Sequence, residues 1–393
     1  DGRLRRRRAE KDARVSQRLA DALAWGSIGD TLASMPPPSG QYRQLRSVLA
    51  DYRAIATRGG WGRLGKGTLR AGDSGPRVES LRARLAATGD LPEAGEGAFD
   101  DVVAAGVRAF QERHGLPEDG VVGKDTLDAL DVPVESRIRA LQVNLERLRW
   151  LPRDLGNPAV LVNAPAFELV VLENEQVMFR SKVVVGRRKD WETPVLDARI
   201  ESVVVDPSWD IPASIAREEV LPLMARHPGW AAREKIRVLD RQGAEVPPES
   251  IDALAFEGAR PLYRLSQDPG PTNPLGSLKI VFPNPESVYL HDTPSRSLFA
   301  RPDRAASHGC VRVEKARELA ALLLAGSGWD EEMLAAAESE GITRTLALPH
   351  PVDVHLVYLT AFVAAGGRAN FRRDLYRRDD EVANAIGASA RQA

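Results

Sequence analysis

The stretch RAASHGCVRV, residues 304–313, contains the only cysteine of the chain, Cys310. Ser307, His308 and Gly309 stand directly before it. A lone cysteine is usually a small buried apolar residue, so its neighbours decide between packing and chemistry. The thiolate is the nucleophilic form, and a free thiol has a pKa near ~8.5, so a reactive cysteine needs a base or nearby N–H groups. This stretch offers both, which makes Cys310 a candidate nucleophile.

The composition narrows the classes of protein to which the chain can belong. With 393 residues it is too long for one ordinary core, so two or three domains are expected. The formal net charge of −1 argues against a nucleic-acid-binding protein, which needs a strongly basic surface. One cysteine excludes an internal disulfide framework and a zinc site built on several cysteines.

The first residues carry a local basic run, RLRRRR at 3–8. We interpret it as a solvated terminal arm, with a juxtamembrane segment that has lost its membrane helix as the alternative. No apolar run of the sequence reaches the ~20 residues that a membrane span needs. Because the chain opens on Asp1 without a signal peptide, we expect a processed chain.

The N-terminal part of the sequence predicts helices. Residues 15–24 and 42–56 have apolar side chains at helical spacing, and the breaker MPPPSG separates them. Residues 69–130 predict a small unit of three helices, the first of them capped by Asp73 or Ser74. A further helix is expected over Val134–Trp150. We expect these pieces to support a site that lies elsewhere.

From residue 159 onward the apolar pattern changes from helical to alternating, which indicates a sheet. Strands are expected at 160–162, 167–172, 176–185, 199–205, 277–282, 287–291, 310–313 and 352–363. Residues 207–270, rich in proline and predicted to form short helices, interrupt this series. A loop-rich insertion beside a catalytic sequence often acts as a lid, and a surface elaboration is the alternative.

Two of the six histidines lie near Cys310 in sequence. His308 precedes it by two residues, and His291 stands at the end of a predicted strand. If the strands at His291 and Cys310 pair in one sheet, His291 lies beside the thiol and can act as its base. The His308-Gly309-Cys310 turn also offers backbone N–H groups to a developing oxyanion. No acidic partner for His291 is obvious, because Asp292 would point to the opposite face of a continuing strand.

Two motifs resemble known families. GVRAFQ at 106–111 with HGLPEDGVVGKDT at 114–126 resembles the three-helix peptidoglycan-binding domain. YLHDT at 289–293 followed by SHGCVR at 307–312 resembles the catalytic motif of L,D-transpeptidases, cysteine enzymes that cross-link peptidoglycan. Three further stretches are similar to the large periplasmic subfamily: PSWDIP at 207–212, GPTNPLG at 270–276 and HLVYLTAFV at 355–363.

The resemblance implies a multidomain α+β architecture with a β-rich catalytic domain, an inserted lid subdomain, a helical scaffold and a three-helix peptidoglycan-binding domain. The expected boundaries are a helical scaffold segment at 1–66, a peptidoglycan-binding domain at 67–131, a scaffold helix or linker at 132–158, a catalytic domain at 159–376 with its lid insertion at 207–270, and a tail at 377–393.

The resemblance also implies roles for the site residues. Cys310 becomes the nucleophile and His291 its general base, while His308 and Gly309 shape the oxyanion hole with the Cys310 amide. The residues expected to contact substrate are Tyr289, Arg312, Ser307, Asn273 and Trp209. Structural alternatives remain open for several of these residues: loop orientation, an ion pair or simple packing. No metal and no organic cofactor is implied.

The activity implied by the resemblance is acyl transfer between peptidoglycan stem peptides. Cys310 attacks a donor tetrapeptide, releases D-alanine, and passes the acyl group to a diaminopimelate amine in a 3-3 cross-link. An L,D-carboxypeptidase or a cross-link-cleaving enzyme is the alternative on the same scaffold, and a non-catalytic wall-binding protein is a rival from another class. The implied partners are stem peptides, glycan strands and carbapenem inhibitors, without nucleic acid. The implied location is the periplasm of a Gram-negative bacterium, with an inner-membrane anchor in the full-length protein.

Overall fold

The structure is a computed structural model that describes residues 15–248, 262–364 and 366–390. The basic arm at 3–8 lies outside this part, as does the middle of the predicted insertion. The chain divides into two units. The first takes in residues 1–155, 163–166 and 358–393, and the second takes in residues 156–162 and 167–357. The domain boundaries expected from the sequence remain predictions.

The helices and strands have the following bounds. The helices are α1 (15–25), α2 (Ile28–Ser34), α3 (Gly40–Thr57), α4 (Pro76–Ala87), α5 (Asp101–His114), α6 (Lys124–Leu130), α7 (Val134–Trp150), α8 (Ala213–Ile215), α9 (Leu221–Arg226), α10 (Trp230–Arg233), α11 (Ala316–Leu323), α12 (Glu331–Glu340) and α13 (Asp379–Ala390). The strands are β1 (Ala159–Asn163), β2 (Glu168–Glu173), β3 (Gln176–Gly186), β4 (Leu196–Val205), β5 (Trp209–Ile211), β6 (Ile236–Leu239), β7 (Glu245–Val246), β8 (Arg264–Gln267), β9 (Leu278–Val281), β10 (Leu290–His291), β11 (Ala305–Ser307), β12 (Val311–Val313), β13 (Arg344–Val357), β14 (Ala361–Val363) and β15 (Ala369–Phe371).

Three helices of the first unit, α4, α5 and α6, enclose a small apolar core, as the spacing of their apolar residues predicts. Val78, Leu81 and Leu85 of α4 are fully buried, and the predicted inward residues of α5 are buried with them. Helix α5 begins where the Asp100 side chain accepts a hydrogen bond from the Val103 N–H at 2.8 Å. These contacts give the three-helix group α4–α6 a core of its own despite its small size.

The cap predicted for α4 is wrong. Neither Asp73 nor Ser74 caps the helix; Gly75 stands at the N-cap position with φ of 99° and makes no side-chain bond. Pro76 follows as the first helical residue, where its fixed φ suits the helix and its missing N–H costs nothing. Asp73 instead accepts a bond from the Arg70 N–H at 2.9 Å.

The strand predicted at 352–363 is not continuous in the structure. The strand β13 ends at Val357, and β14 pairs with β15 as a separate two-stranded sheet in the first unit. Side chains from the same unit hold the break between β13 and β14. Asn163 accepts from the Leu359 N–H and Asn144 accepts from the Thr360 N–H, both at 2.9 Å. These backbone groups are satisfied by side chains rather than by a strand partner.

The second unit is built on a nine-stranded sheet. Its strand order is β11-β3-β12-β10-β9-β4-β13-β1-β2, and β2 also pairs with β3. Most of its inward side chains are valine, leucine and isoleucine, residues that suit a pleated surface. The predicted strands at 287–291 and 310–313 are shorter than expected, with only Leu290–His291 and Val311–Val313 forming ladders.

The inserted segment lies between β4 and β9 and has its own core. It holds the four-stranded sheet β5-β8-β6-β7 besides its short helices, so the prediction of short helices was incomplete. A π-helical turn, Ala216–Val220, joins α8 to α9. Trp209 and Trp230 pack against its buried apolar cluster. The predicted multidomain α+β class, with a helical N-terminal region and a β-rich domain, is confirmed.

Candidate active site

The candidate nucleophile lies where strand β12 begins. Cys310 directly precedes Val311–Val313, and this strand pairs in parallel with β10, which ends at His291. The Val311 N–H donates to the Tyr289 carbonyl at 3.1 Å. This is the strand pairing that was expected to bring a histidine to the cysteine, because paired strands lie ≈ 4.8 Å apart.

A row of three polar side chains crosses the sheet beside the thiol. His291 of β10 is in register with Lys279 of β9 on one side and with Arg312 of β12 on the other. Residues opposite each other on paired strands point to the same face of a sheet. Tyr289, two residues before His291, shares that face: its ring centre lies 5.6 Å from that of His291 and 4.2 Å from the Lys279 ammonium. Strand pairing therefore places two cations, an imidazole and a phenol around one thiol.

The turn before Cys310 is held by side chains. Gly309 is buried and has φ of 114°, a conformation that favours glycine. Its N–H donates to Ser307 Oγ at 3.2 Å, its carbonyl accepts from Thr193 Oγ1 at 2.8 Å, and Ser307 Oγ donates to the Cys310 carbonyl at 2.5 Å. Gly309 thus shapes the turn without its own N–H being free. Among the described residues, the N–H groups of His308 and Cys310 have no acceptor and are the available oxyanion donors.

The thiol is half-buried. Its Sγ lies 4.0 Å from the Ser287 carbonyl, and it also contacts the Tyr289 backbone and hydroxyl. Burial raises the pKa of Cys310, and the Tyr289 hydrogen bonds and the charges of Lys279 and Arg312 offset this only in part. The resting site therefore holds a protonated thiol, and a base must take its proton before attack.

His291 is buried and only 4% exposed. Its Nδ1 lies 2.6 Å from the Asp292 carbonyl. Burial lowers the pKa of His291 to about 3, and the charges of Arg312 and Lys279 act in the same direction. The imidazole is therefore neutral, as a proton acceptor must be, and the Asp292 carbonyl orients it in place of an acidic partner.

The adjacent acid, Asp292, is directed elsewhere. Its carboxylate accepts from Arg296 at 3.1 Å and from the Ser277 N–H at 3.2 Å. This agrees with the expectation that its side chain leaves the face on which His291 lies. The site thus has no acid that bonds to His291 among the residues with described side chains.

His308 does have an acidic partner, which comes from the insertion. Its Nε2 lies 2.6 Å from Glu219 Oε1 and 2.7 Å from Arg187 Nη2, while the Trp191 ring meets it edge-on at 4.7 Å. Glu219 belongs to the π-helical turn at Ala216–Val220, an element often found at functional sites. Sequence reasoning missed Glu219, Arg187 and Trp191, because nothing in a local pattern pairs residues so far apart.

Two of the expected substrate residues are buried in structural roles. Asn273 is 1% exposed, and its amide donates to the Pro207 carbonyl at 3.0 Å and to the Asp268 carbonyl at 3.3 Å. It therefore ties the two ends of the insertion together. Ser307 is 2% exposed and holds the turn described above. The expectation that these two side chains contact substrate needs correction, since neither has the surface to do so.

The remaining expected residues surround the thiol. Trp209 packs against the apolar cluster of the insertion, and burial raises the pKa of Tyr289 above its ordinary value. Arg312 forms no ion pair among the described residues, and its Nε is buried without a hydrogen-bond partner. The role of Arg312 stays a prediction, and the described residues show no ion pair that would favour the structural alternative. No group of three or more metal-ligating side chains occurs in the part of the chain that was searched.

Comparisons with known proteins agree with this geometry. Residues 157–335 match the family model described as L,D-transpeptidase catalytic domain. Over these residues the chain is similar to an L,D-transpeptidase catalytic domain. Residues 74–130 match a second family described as "Putative peptidoglycan binding domain". L,D-transpeptidases are cysteine-dependent enzymes of the acyltransferase type, so the first match agrees with the candidate nucleophile.

A curated relative and two solved structures are similar to the chain. A "Putative L,D-transpeptidase" of Haemophilus influenzae is 36% identical over 249 residues, covering 63% of this chain and 50% of the relative. The chain thus spans about half the length of the relative it matches. L,D-transpeptidase structures from Xylanimonas cellulosilytica and Stackebrandtia nassauensis share 18% and 15% identity, with TM-scores of 0.25 and 0.29. Each covers 75% of this chain, over 98% and 96% of its own length. The family assignment rests on the sequence matches.

Proposed function

We propose that this protein is a peptidoglycan L,D-transpeptidase that makes 3-3 cross-links. The observation that carries the proposal is the position of Cys310 at the start of β12, in a glycine turn, beside β10 with Tyr289 and His291. The family match over residues 157–335 supports the reaction class, and the match over residues 74–130 supports peptidoglycan as the partner.

The first step is acylation of the enzyme. The Cys310 thiol gives its proton to His291, and the thiolate attacks the carbonyl carbon of the third residue of a donor tetrapeptide. Charge then develops on the carbonyl oxygen, where the free N–H groups of His308 and Cys310 are the available donors. The intermediate collapses, the bond to D-alanine breaks, and the departing amine takes the proton. A thioester on Cys310 remains.

The second step transfers the acyl group. The side-chain amine of a diaminopimelate residue on an acceptor stem attacks the thioester and gives its proton to His291. The thiolate leaves, an isopeptide bond forms, and His291 returns the proton to Cys310. Lys279 supports this step, because its positive charge opposes the burial that raises the pKa of Cys310 and so favours the leaving thiolate. Water competes with the amine, so the site benefits from a cover.

We infer that the insertion at 207–270 is that cover. One of its residues reaches the loop before Cys310: Glu219 Oε1 lies 2.6 Å from His308 Nε2. This contact supports a lid because a segment that only decorated the surface would have no polar bond to that loop. The expected gain is exclusion of water from the thioester while an acceptor binds.

The place of action is the cell envelope, since the substrate is the wall itself. We propose the periplasm of a Gram-negative bacterium, with stem peptides and glycan strands as partners and carbapenems as inhibitors. In the described part of the chain, no helix has the length and apolar character to cross a membrane. An inner-membrane anchor in the full-length protein is part of the proposal.

The proposal is tested by the products formed from purified disaccharide-tetrapeptide. We expect the wild-type protein to release D-alanine and to form a dimer whose fragmentation shows a link between two third-position residues. The Cys310→Ala protein should form neither. Dimer in the Cys310→Ala reaction would refute the mechanism, and tripeptide without dimer would favour the carboxypeptidase alternative.

A further inference from the structure

Two cations beside Cys310 have no ion-pair partner among residues 15–248, 262–364 and 366–390. Lys279 and Arg312 flank His291 in the row across the sheet, and neither forms an ion pair with a described residue. The Arg312 Nε is buried with no acceptor, and the Lys279 ammonium lies 4.2 Å from the centre of the Tyr289 ring. Other arginines around the site do have acidic partners: Arg187 with Glu219, Arg264 with Asp210 and Arg296 with Asp292.

This arrangement is costly for the empty protein. Removing a cation from water without a counter-charge is unfavourable, and buried charges are therefore normally paired. Burial lowers the pKa of both Lys279 and Arg312, while the charge of Cys310 is the opposing influence that both share. A bound anion would supply the missing partner.

We propose that Lys279 and Arg312 form a carboxylate-binding site next to the nucleophile. A guanidinium matches the two oxygens of a carboxylate, and an ammonium adds a point charge that can approach from another side. The two residues stand on strands separated by β10, about 9–10 Å apart at the backbone, a gap that their long side chains can span. Because Arg312 stands two residues after Cys310 on the same strand face and Lys279 lies in the same row, the site suits a carboxylate carried close to the reacting carbon.

The identity of that carboxylate follows from the proposed function and rests on it. A donor tetrapeptide has one carboxylate on its terminal D-alanine, next to the bond that breaks, and another on its diaminopimelate residue. Both have the same chemistry, and both lie near the attacked carbonyl. The carboxylate site itself does not depend on which of them binds, nor on the reaction being transfer.

Binding would also act on the base. The groups that face His291 are Lys279 on β9, Arg312 on β12, Cys310 just before β12, and Tyr289 just before β10. Lys279 and Arg312 both oppose protonation of His291. A carboxylate that neutralises these two charges makes His291 a better proton acceptor, so donor binding and thiol activation become linked.

A pair of small reagents tests the site without any peptide. Iodoacetate and iodoacetamide alkylate the same thiolate, but only iodoacetate carries a carboxylate. Both rate constants are proportional to the fraction of Cys310 present as thiolate, so this fraction drops out of their ratio. The ratio therefore reports how strongly the protein binds the carboxylate. We expect Lys279→Met and Arg312→Gln each to lower this ratio about tenfold at low salt. Lys182→Met, which changes an exposed lysine of the same sheet, should leave it unchanged. A ratio within twofold of wild type in both site variants would overturn the proposal.

Amidated donors identify which carboxylate binds. Tetrapeptides amidated at the D-alanine or at the diaminopimelate carboxylate are compared with the free acid in single-turnover acylation. In wild type, amidation of the recognised carboxylate should reduce kcat/KM about as much as Lys279→Met does with the free acid. In the Lys279→Met protein, the same amidation should reduce kcat/KM only a little further. If wild type shows the iodoacetate preference but no stem acylates it, the proposed function fails and the carboxylate site stands.

Discussion

The contact between the insertion and the nucleophile loop makes a specific prediction for Glu219→Gln. Glutamine keeps the shape of glutamate but loses its charge. The hydrogen bonds to His308 and Arg187 then have a neutral amide in place of a charged carboxylate. Hydrogen bonds to charged groups contribute ~1.5–3 kcal/mol and neutral ones ~0.5–1.5 kcal/mol. The Glu219 side chain is 44% exposed, so solvent screening reduces the difference to about 1 kcal/mol. That free energy corresponds to about fivefold in the equilibrium between the docked and released insertion.

The readout is the partition of the thioester between acceptor amine and water. We expect Glu219→Gln to lower the ratio of cross-linked dimer to hydrolysed tripeptide by up to about fivefold, while acylation stays measurable. The matched control is Glu218→Gln, because Glu218 is exposed and adjacent but does not bond to His308. Equal ratios in the two folded variants would refute the idea that this contact holds a water-excluding lid.

The same contact predicts a pH response. Burial raises the pKa of Glu219, but the bonds to His308 and Arg187 outweigh it and hold the pKa below its ordinary value. A depressed carboxyl pKa contributes stability that is present above the unfolded value and is lost as pH falls through the folded one. The wild-type dimer-to-tripeptide ratio should therefore fall at acidic pH, and Glu219→Gln should show less of this fall.

Three further predictions follow from the site and from the first unit. Cys310→Ala should keep the far-UV circular dichroism of the wild type but form no covalent adduct with a carbapenem, whereas wild type forms one per chain; equal labelling would mean that another nucleophile reacts. His291→Gln should reduce the rate of Cys310 alkylation at neutral pH by at least tenfold and His308→Gln by much less; the reverse order in a pH titration would reassign the base. His114 is buried and its pKa lies well below 6.5, chiefly through burial, so stability present above pH 6.5 should be lost as pH falls below it. Calorimetry of wild type and His114→Phe at pH 8 and pH 5 should show a larger loss for wild type, and equal losses would contradict the assignment.

Local sequence patterns predict much of the secondary structure and its buried faces. The periodicity of Val103, Val107 and Phe110 predicts one buried face, and that face is buried, because helix period and side-chain direction depend only on near neighbours. The change from helical to alternating pattern at residue 159 marks the start of β1 for the same reason. The cap of α4 was missed although it is local, because Gly75 and Pro76 compete there with two ordinary capping residues.

The sequence by itself indicated the candidate nucleophile, its glycine turn and the strand on which a candidate base stands. These features lie within a few residues of each other or follow from one strand pairing. The tertiary structure decided which side chains surround them. Glu219 reaches His308 across 89 residues of sequence, and Lys279 joins the row only through the register of β9 on β10. Packing likewise buries Ser307 and Asn273, two residues that the sequence had suggested for substrate contact. Register and burial arise from the packing of distant segments, and a linear pattern does not encode where those segments meet.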